Sequence, residues 1–275
     1  MAVSIGGCTK ISTRLAMNEG INHYKSKEFE KAATSFKRAI TIDPQYADGY
    51  LDLGLTYMEL YEPGSEHPKD IEYAEGAMQA FRKYIELNPA NEKAQEYLIN
   101  IGNLSHRLPE VIDFFMADYN KNPQDLTIVK KMAALYRMAG DTEKAIEWYE
   151  KAAQLEPNNP EAWYSVGVAI WGRSYYSMNL DYDQRMQLLD KGQAALEKAV
   201  ASKPEYYDAM SWLSLIYREK AKYDISPASA AMWTDKANQL LTKAMEYRNK
   251  AMAAQAAAAA QGGARAAEPA RSGGE

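Results

Sequence analysis

The 275-residue chain holds one cysteine, Cys8, so no disulfide can close within it and no multi-cysteine zinc site can form. Its three histidines, His23, His67 and His106, are scattered. None lies at the helical spacing that puts two metal ligands on one face, and each reads as a surface or packing residue. No apolar run approaches the ~20 residues of a membrane-crossing helix. Basic residues are not in excess: 32 Lys and Arg stand against 37 Asp and Glu, a net charge of -5. That balance lacks the basic footprint of a nucleic-acid binder. No Gly-rich phosphate cradle and no nucleophile–base pair is visible. Asp181 and Asp183 sit at an expected turn and read as a helix cap rather than an acid–base couple. Neither catalytic residues, nor a cofactor, nor a metal is expected.

What is present supports a folded core, since 47% of residues are hydrophobic and 25% charged. The organisation shows in the prolines. Pro44, Pro89, Pro123, Pro157 and Pro204 are separated by 45, 34, 34 and 47 residues, which is a 34-residue period carrying insertions of 11 and 13. Each proline follows a helical pattern and ends it, because the ring removes a donor and pushes the preceding residue out of the helical region.

Within the period, small and aromatic residues recur in phase. Ala133, Tyr136, Ala145, Tyr149, Ala152 and Pro157 give the cleanest unit. Gly20, Ala32, Phe36, Ala39 and Pro44 repeat the pattern, as do Tyr50, Leu53, Gly54, Tyr57, Ala77, Phe81 and Pro89. Trp163, Gly167, Leu196, Ala199 and Pro204 form a later copy, followed by Leu213, Tyr217, Ala237, Leu241 and Ala244. A copy marked by Leu98, Phe115 and Pro123 is degenerate. Small residues let helix backbones approach, and aromatic rings fill the gaps between turns.

The period and these residues resemble the tetratricopeptide (TPR) repeat, a helix-turn-helix unit of 34 residues. The resemblance covers about residues 11 to 250 and implies an all-α, right-handed α-solenoid of about six repeats. Three hairpins are expected to be elongated: Gly54 to Ala77, Gly167 to Gly192 and Ser214 to Ala237 each exceed the 12 residues from Ala133 to Ala145. Sharing the extra residues between two helices would lengthen each by roughly 1.5 turns. The expected domains are a flexible leader at 1–12, the solenoid at 13–250, and at 251–275 a helix extension leading into a disordered Ala/Gly-rich tail.

The resemblance also implies where a partner sits, because in the family the first helix of each repeat lines the inner surface. Met17, Ile21 and Tyr24, then Leu51, Leu55 and Met58, then Tyr164, Val168 and Trp171 fall on that face at helical spacing. This stripe either packs only against neighbouring helices or forms a groove for a partner helix or extended peptide. Glu96, Asn100, Asn103, Lys130, Arg137 and Met138 give a polar stretch between the apolar sets. Family members that grip a C-terminal carboxylate use a lysine and an asparagine where this chain has Met17 and Ile21, so that partner class is not expected.

Ile5, Gly6, Gly7 and Cys8 resemble the end of a bacterial lipoprotein signal, with the cysteine as the lipidated residue. The basic start and apolar core of such a signal are not in this sequence. The expected function is a non-catalytic protein–protein interaction scaffold or assembly factor, lipid-anchored through Cys8 in the periplasm or outer membrane. The alternative is a cytoplasmic adaptor or regulator in which Cys8 is a chance thiol. The partner is a protein or peptide, with no nucleic acid, and membrane contact only through the anchor.

Overall fold

Five prolines stop five helices in the same way. Pro44, Pro89, Pro123, Pro157 and Pro204 each stand two residues past a helix's last residue. The computed structural model describes residues 5–266. Its elements are α1 (Ile5–Lys25), α2 (Phe29–Ile42), α3 (Ala47–Leu60), α4 (Pro68–Leu87), α5 (Glu92–Leu104), α6 (Leu108–Lys121), α7 (Leu126–Met138), α8 (Thr142–Leu155), α9 (Pro160–Tyr176), α10 (Tyr182–Ser202), α11 (Tyr207–Tyr223) and α12 (Pro227–Ala266). They follow one another as six hairpins, and no strand occurs among the described residues. Polar side chains start many of them. Asn91, Asp125, Asp141, Asn159 and Asp181 each accept a hydrogen bond from a backbone N–H of the first turn. Asp181 and Gln184 complete a reciprocal capping box, so Asp181 is the cap its sequence suggests.

The short hairpins turn alike. Lys27, His106 and Gly140 each stand two residues beyond the first helix of their hairpin, with φ of 61°, 57° and 78°. Only the last is glycine, the residue that adopts this left-handed conformation without strain.

The insertions are divided unevenly. In the second hairpin α3 keeps 14 residues while α4 grows to 20, and residues 61–67 form the turn, so the expected sharing between both helices does not occur. Pro63, Gly64 and Pro68 hold that segment out of the helix; Gly64 has φ 81°. In the fifth hairpin both helices do lengthen, to 17 and 21 residues. The tip of this hairpin is fastened by Arg185, a buried side chain that donates to the carbonyls of Ser174 and Ser177, the latter at 2.8 Å. Its guanidinium lies 4.3 Å from the Tyr223 ring and 3.9 Å from Glu219, which is also buried. In the sixth hairpin α12 begins at Pro227, with Ser226 accepting from the Ser229 amide.

Two boundaries differ from expectation. The leader expected at 1–12 is helical from Ile5 onward, because α1 runs back from Thr13, Ala16 and Met17, whose side chains are buried and anchor the helix. The first four residues and the Cys8 side chain lie outside the described residues. At the other end α12 continues through Gly262 and Gly263 to Ala266, into the segment expected to hold the Ala/Gly-rich tail. The alanines on either side favour helix strongly enough to carry two glycines. The expected disorder beyond residue 266 lies outside the described residues.

The chain divides into two compact units. The first takes residues up to Ile128 with Ala134–Gly140, and the second takes Val129–Ala133 with the residues from Asp141 on. In the first unit Phe36, Phe81, Leu98, Ile101 and Phe115 are buried. In the second unit Leu189, Leu196, Ile216 and Tyr217 form one cluster, and Ile146, Val166 and Ile170 another. Backbones come close where glycine meets a large side chain. A Cβ on Gly20 would stand 2.5 Å from Phe36, one on Gly54 2.6 Å from Phe81, and one on Gly167 2.3 Å from Leu196.

Candidate binding surface

In the first unit the first helices of successive hairpins meet, as do the second helices. Tyr24 of α1 donates to Glu59 of α3 at 3.3 Å, and the Tyr61 hydroxyl donates to the Leu104 carbonyl of α5 at 3.0 Å. On the other side Tyr73 of α4 reaches Glu30 of α2, and Arg107 at the start of α6 reaches Glu75 of α4. The hairpins therefore present two rows of helices with different chemistry. A cavity of about 340 Å³ opens on the second-helix side, lined by Lys37, Ile40, Tyr57 and Glu72 among others. Sequence reasoning gave no sign of it.

The first-helix row carries the predicted groove residues of this unit. Ile21, Tyr24, Leu51, Leu55 and Met58 are partly exposed and so available to a partner. Met17 is not: it is 4% exposed, with its sulfur against Gly49 of α3. It belongs to the core, and its place on the expected stripe is corrected accordingly.

Among these apolar residues stand carboxylates that sequence reasoning passed over. Asp48, Leu51, Asp52, Leu55 and Glu59 recur at three- and four-residue steps on one face of α3. Burial, and then the neighbouring Asp48, push the Asp52 carboxyl up to about 6. The Tyr24 phenol is also raised, first by burial and then by Glu59, Asp52 and Tyr97. Tyr97 of α5 stacks on Phe81 at 5.5 Å. The spacing of acidic residues was the signal available, and it was hidden by the stronger apolar one.

In the second unit Tyr164, Val168 and Trp171 are partly exposed on α9. Trp171 stacks on Tyr175 at 4.7 Å and meets Trp212 of α11 edge-on at 5.0 Å. Tyr164 packs on Tyr206 at 5.3 Å. Burial raises the Tyr164 and Tyr206 phenols, the latter further through its hydrogen bond to Glu161. The predicted Tyr164 and Trp171 thus lie within a wider aromatic strip that includes Trp212, Tyr206 and Tyr175. Of the polar residues, Glu96, Asn100 and Asn103 are exposed on α5, and Arg137 and Met138 on α7. Lys130 pairs with Glu156 at 2.8 Å.

Among the described residues no group of three His, Cys, Asp or Glu is placed to hold a metal ion. No described helix is long and apolar enough to cross a membrane.

A family model described as a TPR repeat matches residues 22–60 and 134–173. The chain is 31% identical over 116 residues to the photosystem I assembly protein Ycf3 of Prochlorococcus marinus subsp. pastoris, covering 42% of this chain and 66% of that protein. It is 27% identical over 218 residues to Superkiller protein 3 of Schizosaccharomyces pombe, covering 74% of this chain and only 14% of that one. Among solved structures, a TPR repeats protein from Bacteroides fragilis is 17% identical, with a TM-score of 0.48 over 74% of this chain and 97% of that one. MamA gives 22% identity and a TM-score of 0.39 over 78% and 97%. Six helical hairpins in a 34-residue rhythm, with a repeat model matched at two places, make the chain a member of the tetratricopeptide-repeat family.

Proposed function

We propose that the chain is a non-catalytic scaffold or assembly factor that receives a polypeptide on its first-helix surfaces. One observation carries the reading. Ile21, Tyr24, Leu51, Leu55 and Met58 leave apolar area partly exposed on a single face of two adjacent helices, although the same helices bury Ala16, Met17, Leu53 and Tyr57. Apolar and aromatic residues on a rigid helical face are the usual anchors for a partner helix or peptide. The name of the Ycf3 relatives, which describes assembly of photosystem I, supports an assembly role of some kind. These matches span about two thirds of the relatives' length.

The test is capture of binding proteins by the whole chain and by a Leu55→Asp, Met58→Asp variant with an unchanged melting curve. Loss of specific proteins from the variant's set is expected. Identical sets for both proteins would refute a role for this face.

Membrane anchoring is a finer part of the proposal and rests on the Ile5-Gly6-Gly7-Cys8 pattern alone. Expression from the native gene should place the protein in the periplasmic or outer-membrane fraction, and Cys8→Ser should release it. A soluble protein with an intact Met1 favours the cytoplasmic adaptor instead.

A further inference from the structure

We propose that the face formed by α1, α3 and α5 in the first unit takes a positively charged segment of polypeptide, with Lys or Arg interleaved among apolar residues. The inference rests on the reading of that face as a polypeptide site, and names the chemistry of its occupant.

The apolar ground is Ile21, Leu51, Leu55 and Met58, edged by the rings of Tyr24 and Tyr97, all partly exposed. Three carboxylates, Asp48, Asp52 and Glu59, share the α3 face with them. None of the three forms an ion pair among the described residues, whereas seventeen other pairs are formed elsewhere. Among the described residues, Glu59 accepts from the Tyr24 hydroxyl at 3.3 Å. Beyond burial, the like charge of Asp48 pushes the Asp52 carboxyl up. A half-buried carboxylate beside another carboxylate is unfavourable in the free protein, and a cation placed between them relieves both effects. An anionic partner, including a C-terminal carboxylate or a nucleic acid, would meet three negative charges on α3, with the Lys93 ammonium only at the Tyr97 edge of the face.

Asp52 supplies a readout. The titratable groups around it are Asp48 and Glu59 on α3, Tyr24 on α1 and Tyr97 on α5, where the Lys93 ammonium lies 5.8 Å from the Tyr97 ring. The helices α2 and α4 meet α3 through Gly49, Gly54 and Tyr57, where Lys37 lies over the Tyr57 ring. With its carboxyl near 6, Asp52 loses most of its charge by pH 5. A bound cation that lowers this pKa by one unit must bind about tenfold more tightly to the ionised form.

The experiment selects peptides from an unbiased displayed library on the whole chain at pH 7.5, and repeats the selection on an Asp48→Asn, Asp52→Asn, Glu59→Gln variant. Selected sequences should be rich in Lys and Arg between apolar residues, and the basic bias should vanish on the variant while the apolar bias stays. One selected peptide should bind about fivefold more weakly at pH 5 than at pH 7.5, and Asp52→Asn should flatten that dependence. Should the triple variant fail to fold, Asp48→Asn alone, at an exposed position, must still reduce the basic bias. Selection of neutral or acidic peptides would overturn the charge inference and leave the polypeptide site standing. Selection of nothing above background would overturn both.

Discussion

Gly54→Ala and Gly172→Ala are the same chemical change in two helices, and the packing around them gives opposite signs. In a helix interior the change alone stabilises by about 1 kcal/mol, because alanine has less backbone freedom to lose. At Gly172 nothing lies within 4 Å of the new Cβ, so this gain should appear undiminished. At Gly54 the Cβ would meet three atoms of the Phe81 ring at 2.6 to 2.8 Å, where ordinary contact begins at 3.4 Å. The ring is fully buried, and Tyr97 is stacked against it, so it has little room to retreat. Overpacking of this kind costs about 1–3 kcal/mol. Net destabilisation of roughly 0–2 kcal/mol follows for Gly54→Ala, and a gap of about 1–3 kcal/mol between the two variants. Urea denaturation followed by far-UV circular dichroism measures both. Adding Phe81→Leu should lessen the penalty of Gly54→Ala, because a leucine side chain can turn away from the new methyl. The reasoning is refuted if Gly54→Ala gains as much stability as Gly172→Ala.

Four further outcomes are expected. Ala145 is 1% exposed between helices, so Ala145→Leu should lose about 1–3 kcal/mol in the same assay; an unchanged midpoint would mean the repeat register is misplaced. Lys27→Gly and His106→Gly remove left-handed strain at the positions where Gly140 already avoids it, and each should gain up to about 1 kcal/mol. Arg185→Met strips two carbonyls of their donor and leaves Glu219 without its guanidinium, so amides near residues 174–186 should exchange faster with deuterium than in the parent. Asp52→Asn should raise the melting temperature at pH 7.5 and leave it nearly unchanged at pH 4. The sign follows from a carboxyl whose folded pKa, about 6, exceeds its unfolded value: the protonated group favours the fold, and that advantage is lost as pH rises from about 4 to 6. A larger effect at pH 4 than at pH 7.5 would contradict this assignment.

The repeat was legible because proline and small residues act locally. Pro44 or Pro204 ends a helix whatever surrounds it, and Gly54 or Gly167 is small because a neighbouring helix is near. The division of the insertions was not legible for α3, since residues 61–67 contain both helix formers and turn residues, and the outcome depends on Asp70 bonding Ser65 and the Glu62 amide. Met17 was misread because its face of α1 looks outward by periodicity alone, while the close approach of Gly49 turns that point of the helix into core. The assignment of α7's residues to two units leaves no mark in its sequence: Val129, Met132, Ala133 and Leu135 are all buried alike. Asp48 and Asp52 were overlooked since a charge on a helix is ordinarily a solvated one, and only the packed structure shows how little water reaches the second.

The last helix outruns everything that supports it. The Lys250–Glu205 pair, at 3.5 Å, ties α12 to the second unit, yet residues 251–259 are exposed all round and consist of alanine apart from Met252 and Gln255. Over those residues the helix extends about 13 Å on intrinsic propensity alone. Helices held this way unwind gradually with warming, without the sharp cooperativity of a packed core. The protein therefore carries two thermal signals: a steady decline in helical ellipticity from this alanine rod, and a later cooperative step from the hairpins. Ending the chain at Lys250 should level the slope and leave the step where it was.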